Sequence, residues 1–252
     1  MADHSYSTDF YDYIDAGSRS SARAVAQLVR GEMEIGSLLD IGAGHGAWAA
    51  EWMAAGVKEV LAVDGDYVDQ DHLAVPKANF CAHDLLEPLE LKRKFDLVQS
   101  LEVAEHLPEA VAAQFVDTIV RHGDVVLFSA AVPHQGGEHH VNEQPPEYWR
   151  NHFAERGYAA YDWLRPRLVN RRDVKAWYKY NSVLYANAEG AKRLSAPMRA
   201  ACVVGGQKLP MGGDIKWHAR RAMVRLIPEG LVKPVAMAKA SVEAKFRSRE
   251  DG

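Results

Sequence analysis

Two short stretches stand out for the way they cluster side chains that can bind a cation or move a proton. The first, Leu101-Glu102-Val103-Ala104-Glu105-His106-Leu107, carries two carboxylates and an imidazole. On a helix, Glu102, Glu105 and His106 stand at i, i+3 and i+4 and share one face. The second, His134-Gln135-Gly136-Gly137-Glu138-His139-His140-Val141-Asn142-Glu143-Gln144, is too polar to pack as core and offers His139 and His140. Mixed oxygen and nitrogen ligands suit Mg²⁺, Mn²⁺ or Fe²⁺ better than a structural zinc, which recruits thiolates. The metal candidates are therefore Glu102, Glu105 and His106, with His139 or His140 as the ligand from the second stretch. Such an ion keeps positions for a substrate hydroxyl and lowers its pKa. Without a metal, a loop histidine can act as general base on the same hydroxyl. His140, His139 and Glu105 are thus the catalytic candidates. His134 reads as an ordinary loop histidine, and Tyr148, Trp149 and Phe153 as core.

A scaffold must bring these stretches together, and its anchor is residues 37–51, SLLDIGAGHGAWAAE. Leu38, Leu39 and Ile41 run into Gly42, Gly44 and Gly46 and then into Trp48, Ala49 and Ala50: a buried strand, a tight turn and a first helical turn. Glycines there permit positive φ and let a ligand lie on bare N–H groups at the positive end of a helix. Gly42-x-Gly44-x-x-Ala47 also satisfies the relaxed dinucleotide fingerprint, so the loop alone leaves a nicotinamide cofactor and an oxidoreductase open.

Residues 47–55 form a helix that stops at Gly56. A second strand follows over residues 59–64 (EVLAVD), ending on Asp64. That carboxylate lies about 20 residues past the loop, where it can accept ribose hydroxyls; Asp64-Gly65-Asp66 is also a turn sequence. Strands follow at residues 79–85, 95–101 and 124–131, with helices at 111–120 and 146–157. Residues 158–163 and 177–186 supply the last two strands. This alternation predicts a largely parallel sheet with helices on both faces and ligands at the carboxyl ends of the strands. The stretches after the fourth and fifth strands meet at that edge. Ahead of the anchor, residues 9–30 have helical spacing interrupted at Gly17-Ser18, which reads as two packed helices with a turn. From Glu189 the pattern loosens. Residues 215–226 and 232–246 are basic and weakly amphipathic, and read as solvated helix faces.

The pattern LDIGAGHG, with Asp40 before the first glycine, resembles the first motif of class I S-adenosylmethionine-dependent methyltransferases. The resemblance implies an α/β, Rossmann-like seven-stranded sheet, mostly parallel with the last strand antiparallel, and S-adenosylmethionine as cofactor. It places Asp40, Gly42, Gly44, Asp64, Gly65 and Leu101 around that cofactor, with Asp84 capping the adenine amino group and the backbone of Leu85 on a ring nitrogen. The E-x-x-E-H pattern of Glu102, Glu105 and His106 is similar to that of small-RNA 2′-O-methyltransferases and ubiquinone-pathway O-methyltransferases, where these residues and a later histidine are associated with a divalent metal. The run from Gly136 through Val141-Asn142-Glu143-Gln144 to Tyr148-Trp149 is similar to a group of small-molecule methyltransferases and places His140 at the recurring histidine. The terminal segments match no RNA-binding module.

At 252 residues the chain can bury one α/β core with additions, read here as a helical lid over residues 1–36, a cofactor-binding core over 37–188 and a helical extension over 189–252. Thirty basic against 34 acidic residues give a net charge of −4, which argues against a surface-wide nucleic-acid platform. Cys81 and Cys202 fit a reducing compartment rather than a disulfide framework. No apolar run has the length of a membrane span. The expectation is a cytoplasmic methyltransferase acting on an oxygen of a small polar metabolite, with a small-molecule partner, no membrane or nucleic-acid partner, and oligomerisation left open. Two other readings stand beside it: a metal-independent N- or O-methyltransferase using a loop histidine as base, and a non-catalytic cofactor binder.

Overall fold

The computed structural model describes residues 8–226, with side chains from Gly17 onward. The chain runs α1 (Thr8–Arg30), β1 (Ser37–Ile41), α2 (Ala47–Ala54), β2 (Glu59–Asp64), β3 (Phe80–Ala82), β4 (Leu97–Leu101), α3 (Ala112–Arg121), β5 (Val125–Ser129), α4 (Pro146–Glu155), β6 (Ala159–Tyr161), α5 (Arg165–Leu168), α6 (Ala176–Asn181), β7 (Val183–Ala186), α7 (Ala188–Arg193), α8 (Ala196–Ala200) and α9 (Ile215–Arg225). The strands form one sheet in the order β3-β2-β1-β4-β5-β7-β6. Strands β1 to β5 pair in parallel, and β7 runs antiparallel to both β5 and β6. This is the Rossmann-like α/β arrangement expected from the sequence. Strand order reverses between β1 and β4, the switch point at which such sheets open a crevice.

Both faces of the sheet are covered, so its central strands are apolar throughout. Successive residues alternate between two cores. Leu38, Leu97, Leu127 and Leu184 face α1, α2 and α6 with Trp52, Val25 and Tyr178. Leu39, Val98, Val126 and Tyr185 face α3 and α4 with Phe115, Ile119 and Phe153. Each fully buried side chain of this size stabilises the fold by about 1.5–3 kcal/mol over its exposed state. Leu194, Met198, Leu209 and Trp217 are also buried, so residues 189–226 join the same body.

Four local expectations differ from the structure. Gly17-Ser18 does not break the first helix: α1 is continuous. The hydroxyls of Ser20 and Ser21 donate back to Gly17 O at 3.1 and 2.7 Å. A Cβ at Gly17 would sit 2.1 Å from Lys175 Cε, so the glycine serves a close approach rather than a turn. Residues 177–186 are not one strand; α6 fills the first half, and its last residue, Asn181, reaches the site described below. The third strand stops at Ala82, because Asp84 Oδ1 accepts the Leu86 N–H at 2.9 Å and turns the chain. The expected helix at Glu102 is only a 3₁₀ turn over Ala104–His106. The expected segment at 232–246, residues 1–7 of the expected lid and the side chains of residues 8–16 lie outside what is described.

Candidate active site

Beyond Ile41 the chain turns through three glycines in the left-handed region: Gly42 (φ 80°), Gly44 (φ 55°) and Gly46 (φ 83°). Their reasons differ. A Cβ on Gly42 would fall 2.3 Å from Val103 Cγ2, so packing against the turn after β4 demands this glycine. A Cβ on Gly44 meets no atom within 4 Å; what that glycine keeps clear is open space. Gly46 caps α2 with no side-chain acceptor, which leaves the N–H groups of its first turn available to an anionic group.

Two buried aspartates support this turn. Asp64, at the end of β2, accepts from Gly44 N–H at 2.6 Å through Oδ2, and from Gly65 N–H (2.7 Å) and Tyr67 Oη (2.5 Å) through Oδ1. A ribose hydroxyl approaching Asp64 would therefore compete with Tyr67. The absent Cβ of Gly65 is what lets the Tyr67 ring close over the carboxylate. Asp40 is buried beneath the turn, and its Oδ2 has no partner among the described residues. Burial, with the Asp64 charge adding to it, pushes its carboxyl up to about 7, against the lowering effect of the neighbouring Gln99 amide. Asp84 is exposed in its turn past β3, Leu85 is half-buried beside it, and Leu101 is buried at the end of β4.

The acidic and imidazole groups gather after β4 and β5. Glu102 has φ 57°, and its N–H donates to Ser129 O at 3.0 Å. That left-handed residue stops a helix from forming and aims the Glu102 side chain away from the face shared by Glu105 and His106. The backbone oxygen of Glu105 accepts from the N–H groups of Val141 (2.9 Å) and Asn142 (3.0 Å), which draws the second loop onto the first. One ligand atom each of Glu105, His106 and His140 then lie within 4.8 Å of one another. The two imidazoles meet edge to face at 5.0 Å.

Glu105 is fully buried, and neither carboxyl oxygen has a hydrogen-bond partner among the described residues. Burial, reinforced by the Glu102 charge, holds this carboxyl well above the usual range. His106 keeps an exposed edge, but the protein packed around its ring, with the neighbouring His140, pushes it down to about 4, so the ring is neutral near pH 7. His140 Nδ1 lies 2.8 Å from Glu143 Oε1. Burial alone would raise the Glu143 carboxyl. The His140 contact and the N–H groups of Gly136 and His134 outweigh it and hold Glu143 below its ordinary value. An ionised Glu143 assigns the proton to His140 Nδ1 and leaves Nε2 with a lone pair. A Cβ on Gly137 would sit 2.2 Å from that Nε2, so the loop backbone lies close against the ring. His139 is exposed with φ 55° and stands outside the Glu105–His106–His140 group, as does Glu102.

Glu102 instead enters a polar cluster that pattern reading did not single out. Gln135 Nε2 donates to Glu102 Oε2 at 2.6 Å, Asn181 Nδ2 to Glu102 Oε1 at 3.2 Å, and Asn181 Nδ2 to Gln135 Oε1 at 2.8 Å. Gln135 and Glu143 were visible within the polar loop but carry no ligand signature. Asn181 sits at a helix end inside a segment that reads as a strand, so nothing in its neighbourhood marked it.

The described residues thus bring an open glycine cradle to one edge of the sheet and a buried carboxyl between two imidazoles to the neighbouring strand ends. The family described as "Methyltransferase domain" matches residues 12–175. A comparison with curated proteins found no match in sequence. Among solved structures, an O-methyltransferase family protein from Burkholderia thailandensis is similar at 12% identity and a TM-score of 0.54, covering 71% of this chain and 58% of that one. A small RNA methyltransferase is similar at 14% identity and a TM-score of 0.51, covering 68% of this chain and 25% of that one. A magnesium protoporphyrin IX methyltransferase from Synechocystis PCC 6803, solved with SAM bound, is similar at 17% identity and a TM-score of 0.49, covering 74% of this chain and 87% of that one. The chain spans well under two thirds of the first two of these proteins. At these identities the likeness is one of fold.

Proposed function

The chain belongs to the methyltransferase-domain family, with the class I fold of S-adenosylmethionine-dependent methyltransferases, and on that premise we propose that it methylates an oxygen of a small polar acceptor. The cofactor reading is supported by Gly44, whose missing Cβ leaves the cradle clear, and by the side-chain-free cap of α2. In this reading Gly42 and Gly44 shape the cradle, Asp64 and Gly65 face the ribose, Asp84 and Leu85 the adenine, and Asp40 and Leu101 back the site. When bound there, S-adenosylmethionine supplies an electrophilic methyl group on a positively charged sulfur.

The observation that carries the acceptor side is Glu105, a fully buried carboxyl without a hydrogen-bond partner, beside His106 and His140. A buried group of this kind is costly unless a cation or proton completes it. The donor set, one carboxylate and two imidazoles, fits a divalent ion such as Mg²⁺, Mn²⁺ or Fe²⁺, and an ion held there supplies Lewis acidity toward an acceptor hydroxyl. Glu102, fixed by Gln135 and Asn181, presents a second carboxylate next to this group and sets its charge. A second reading rests on the His140–Glu143 pair. Glu143 fixes the tautomer and leaves Nε2 to take the acceptor's proton without a metal.

The test is transfer of labelled methyl from S-adenosylmethionine to a panel of hydroxylated small molecules, before and after metal stripping. Loss of turnover on chelation and its return with one of the three ions supports the metal reading. Unchanged turnover in stripped enzyme, together with a fall in Glu143→Gln, supports the general-base reading. Binding of cofactor with no transfer to any acceptor overturns both in favour of a binder.

A further inference from the structure

Helix α9 has two unlike faces. On one, Trp217 packs with Val132 and Tyr180, and Arg221 donates to Pro133 O through Nε (3.0 Å) and Nη2 (2.6 Å). These contacts fasten the helix to the start of the loop that carries His140. Half a turn away run Ile215, Ala219, Ala222 and Leu226, with Met223 beside them. Ile215 is 87% exposed, Leu226 83% and Met223 62%. Lys216 and Arg220 border this stripe on one side, His218 and Arg225 on the other, and no acidic residue occurs from Ile215 to Leu226. Single exposed apolar residues are ordinary, but an apolar row at helical period opposite the packed face, rimmed by one sign of charge, is not.

The charge decides the occupant. A second copy would bring the same cations against each other across the contact. The chain that follows carries Lys233, Lys239, Lys245, Arg247 and Arg249 against Glu229, Glu243, Glu250 and Asp251, so its acidic groups are matched by its own cations and it offers α9 no net negative charge. An anionic surface that accepts apolar side chains beneath its charges matches both features. We propose that α9 docks in the plane of an anionic lipid bilayer, with its stripe at the acyl boundary and its cations among the headgroups. This departs from the sequence expectation of no membrane partner, and it involves no spanning segment: among the described residues no helix is long and apolar enough to cross a membrane. It does not depend on the metal or on the acceptor.

The experiment is co-sedimentation of the full chain with vesicles of phosphatidylcholine alone and of phosphatidylcholine mixed with phosphatidylglycerol, over a range of salt. Binding to the anionic vesicles should be about tenfold or more tighter than to the neutral ones and should weaken as salt rises. The pairs Ile215→Asp/Leu226→Asp and Lys216→Glu/Arg225→Glu should each lower it by about tenfold or more, with circular dichroism and cofactor affinity unchanged. Wild type that stays in the supernatant overturns the proposal, as does binding that neither pair alters. Two other results also overturn it. One is a wild-type dimer in light scattering that Ile215→Asp disperses without any vesicle association, which would make a second copy the cover. The other is RNA binding that the charge pair abolishes and the apolar pair leaves intact.

Discussion

Gly42 and Gly44 look alike in sequence and should fail in different ways. Each has positive φ, so alanine at either position bears about 1–2 kcal/mol of left-handed strain. At Gly44 that is the whole penalty in the free protein, since no atom lies within 4 Å of the new Cβ. At Gly42 the Cβ would approach Val103 Cγ2, Cγ1 and Cβ at 2.3, 2.5 and 2.9 Å, which adds about 1–3 kcal/mol of overpacking. Urea unfolding should therefore rank Gly42→Ala as the less stable variant by about 1–3 kcal/mol. Gly42→Ala/Val103→Ala should recover part of that difference. Calorimetric titration with S-adenosylmethionine should invert the order. Gly44→Ala puts a methyl group into the cradle and should weaken binding about 30-fold, near 2 kcal/mol. A folded Gly44→Ala that binds the cofactor as tightly as wild type would remove the cradle from the argument. A Gly42→Ala as stable as Gly44→Ala would remove the packing half.

Three further outcomes follow from the site. Asp40 is raised from 3.8 to about 7 in the fold, so the unfolded chain releases this proton first as pH rises. Its burial is harmless below pH 4 and becomes a destabilisation as pH climbs to 7, approaching about 4 kcal/mol above that; Asp40→Asn should match wild type at pH 4 and exceed it at pH 8 in cofactor-free unfolding, and a constant difference at the two pH values would contradict this. Gly137→Ala drives a methyl group to 2.2 Å from His140 Nε2 at a backbone position without positive φ, so turnover should fall by about 10²–10⁴ while stability falls by only the overpacking cost of about 1–3 kcal/mol; activity near wild type would place His140 outside the chemistry. Tyr67→Phe frees Asp64 Oδ1 from its 2.5 Å partner, and if a ribose uses that oxygen, cofactor affinity should rise about fivefold; weaker binding would show that the tyrosine itself holds the ligand.

The scaffold was legible because its signals are local and redundant. Residues 37–51 combine an apolar run, a glycine turn and an alanine-rich helix start, and each implies the next; the structure follows them almost residue by residue. Where the reading departed, a long-range contact overrode a local preference. Gly17 looks like a break but is a gap for Lys175, a residue 158 positions away. The segment 177–186 has the aromatic and β-branched content of a strand, yet Tyr178 is spent on the α1 side against Ser18, and only Val183–Ala186 reaches the sheet. The site shows the same division. That the loops after β4 and β5 meet followed from topology alone, whereas which atoms meet depended on backbone angles that residue type does not determine.

Glu102 makes that dependence concrete. Read as helix, E-x-x-E-H is one ligand face of three side chains. One left-handed residue at its first position separates it into two sites with different electrostatic needs. Glu102 gains two amide donors, from Gln135 and Asn181, and burial raises its carboxyl against them. Glu105 gains no donor and is raised further by the Glu102 charge beside it. Two equivalent carboxylates would compete for one cation or one proton. An amide-held carboxylate beside a bare one does not, because the first is already satisfied by neutral dipoles and the second is left with a strong demand for positive charge. The left-handed conformation at Glu102 costs of order 1–3 kcal/mol. It persists because Ser129, Gln135 and Asn181, from β5, its loop and the end of α6, fix the residue from three directions. The chain thus uses one strained residue to concentrate the site's need for a cation or proton on Glu105, at the point where His106 and His140 converge.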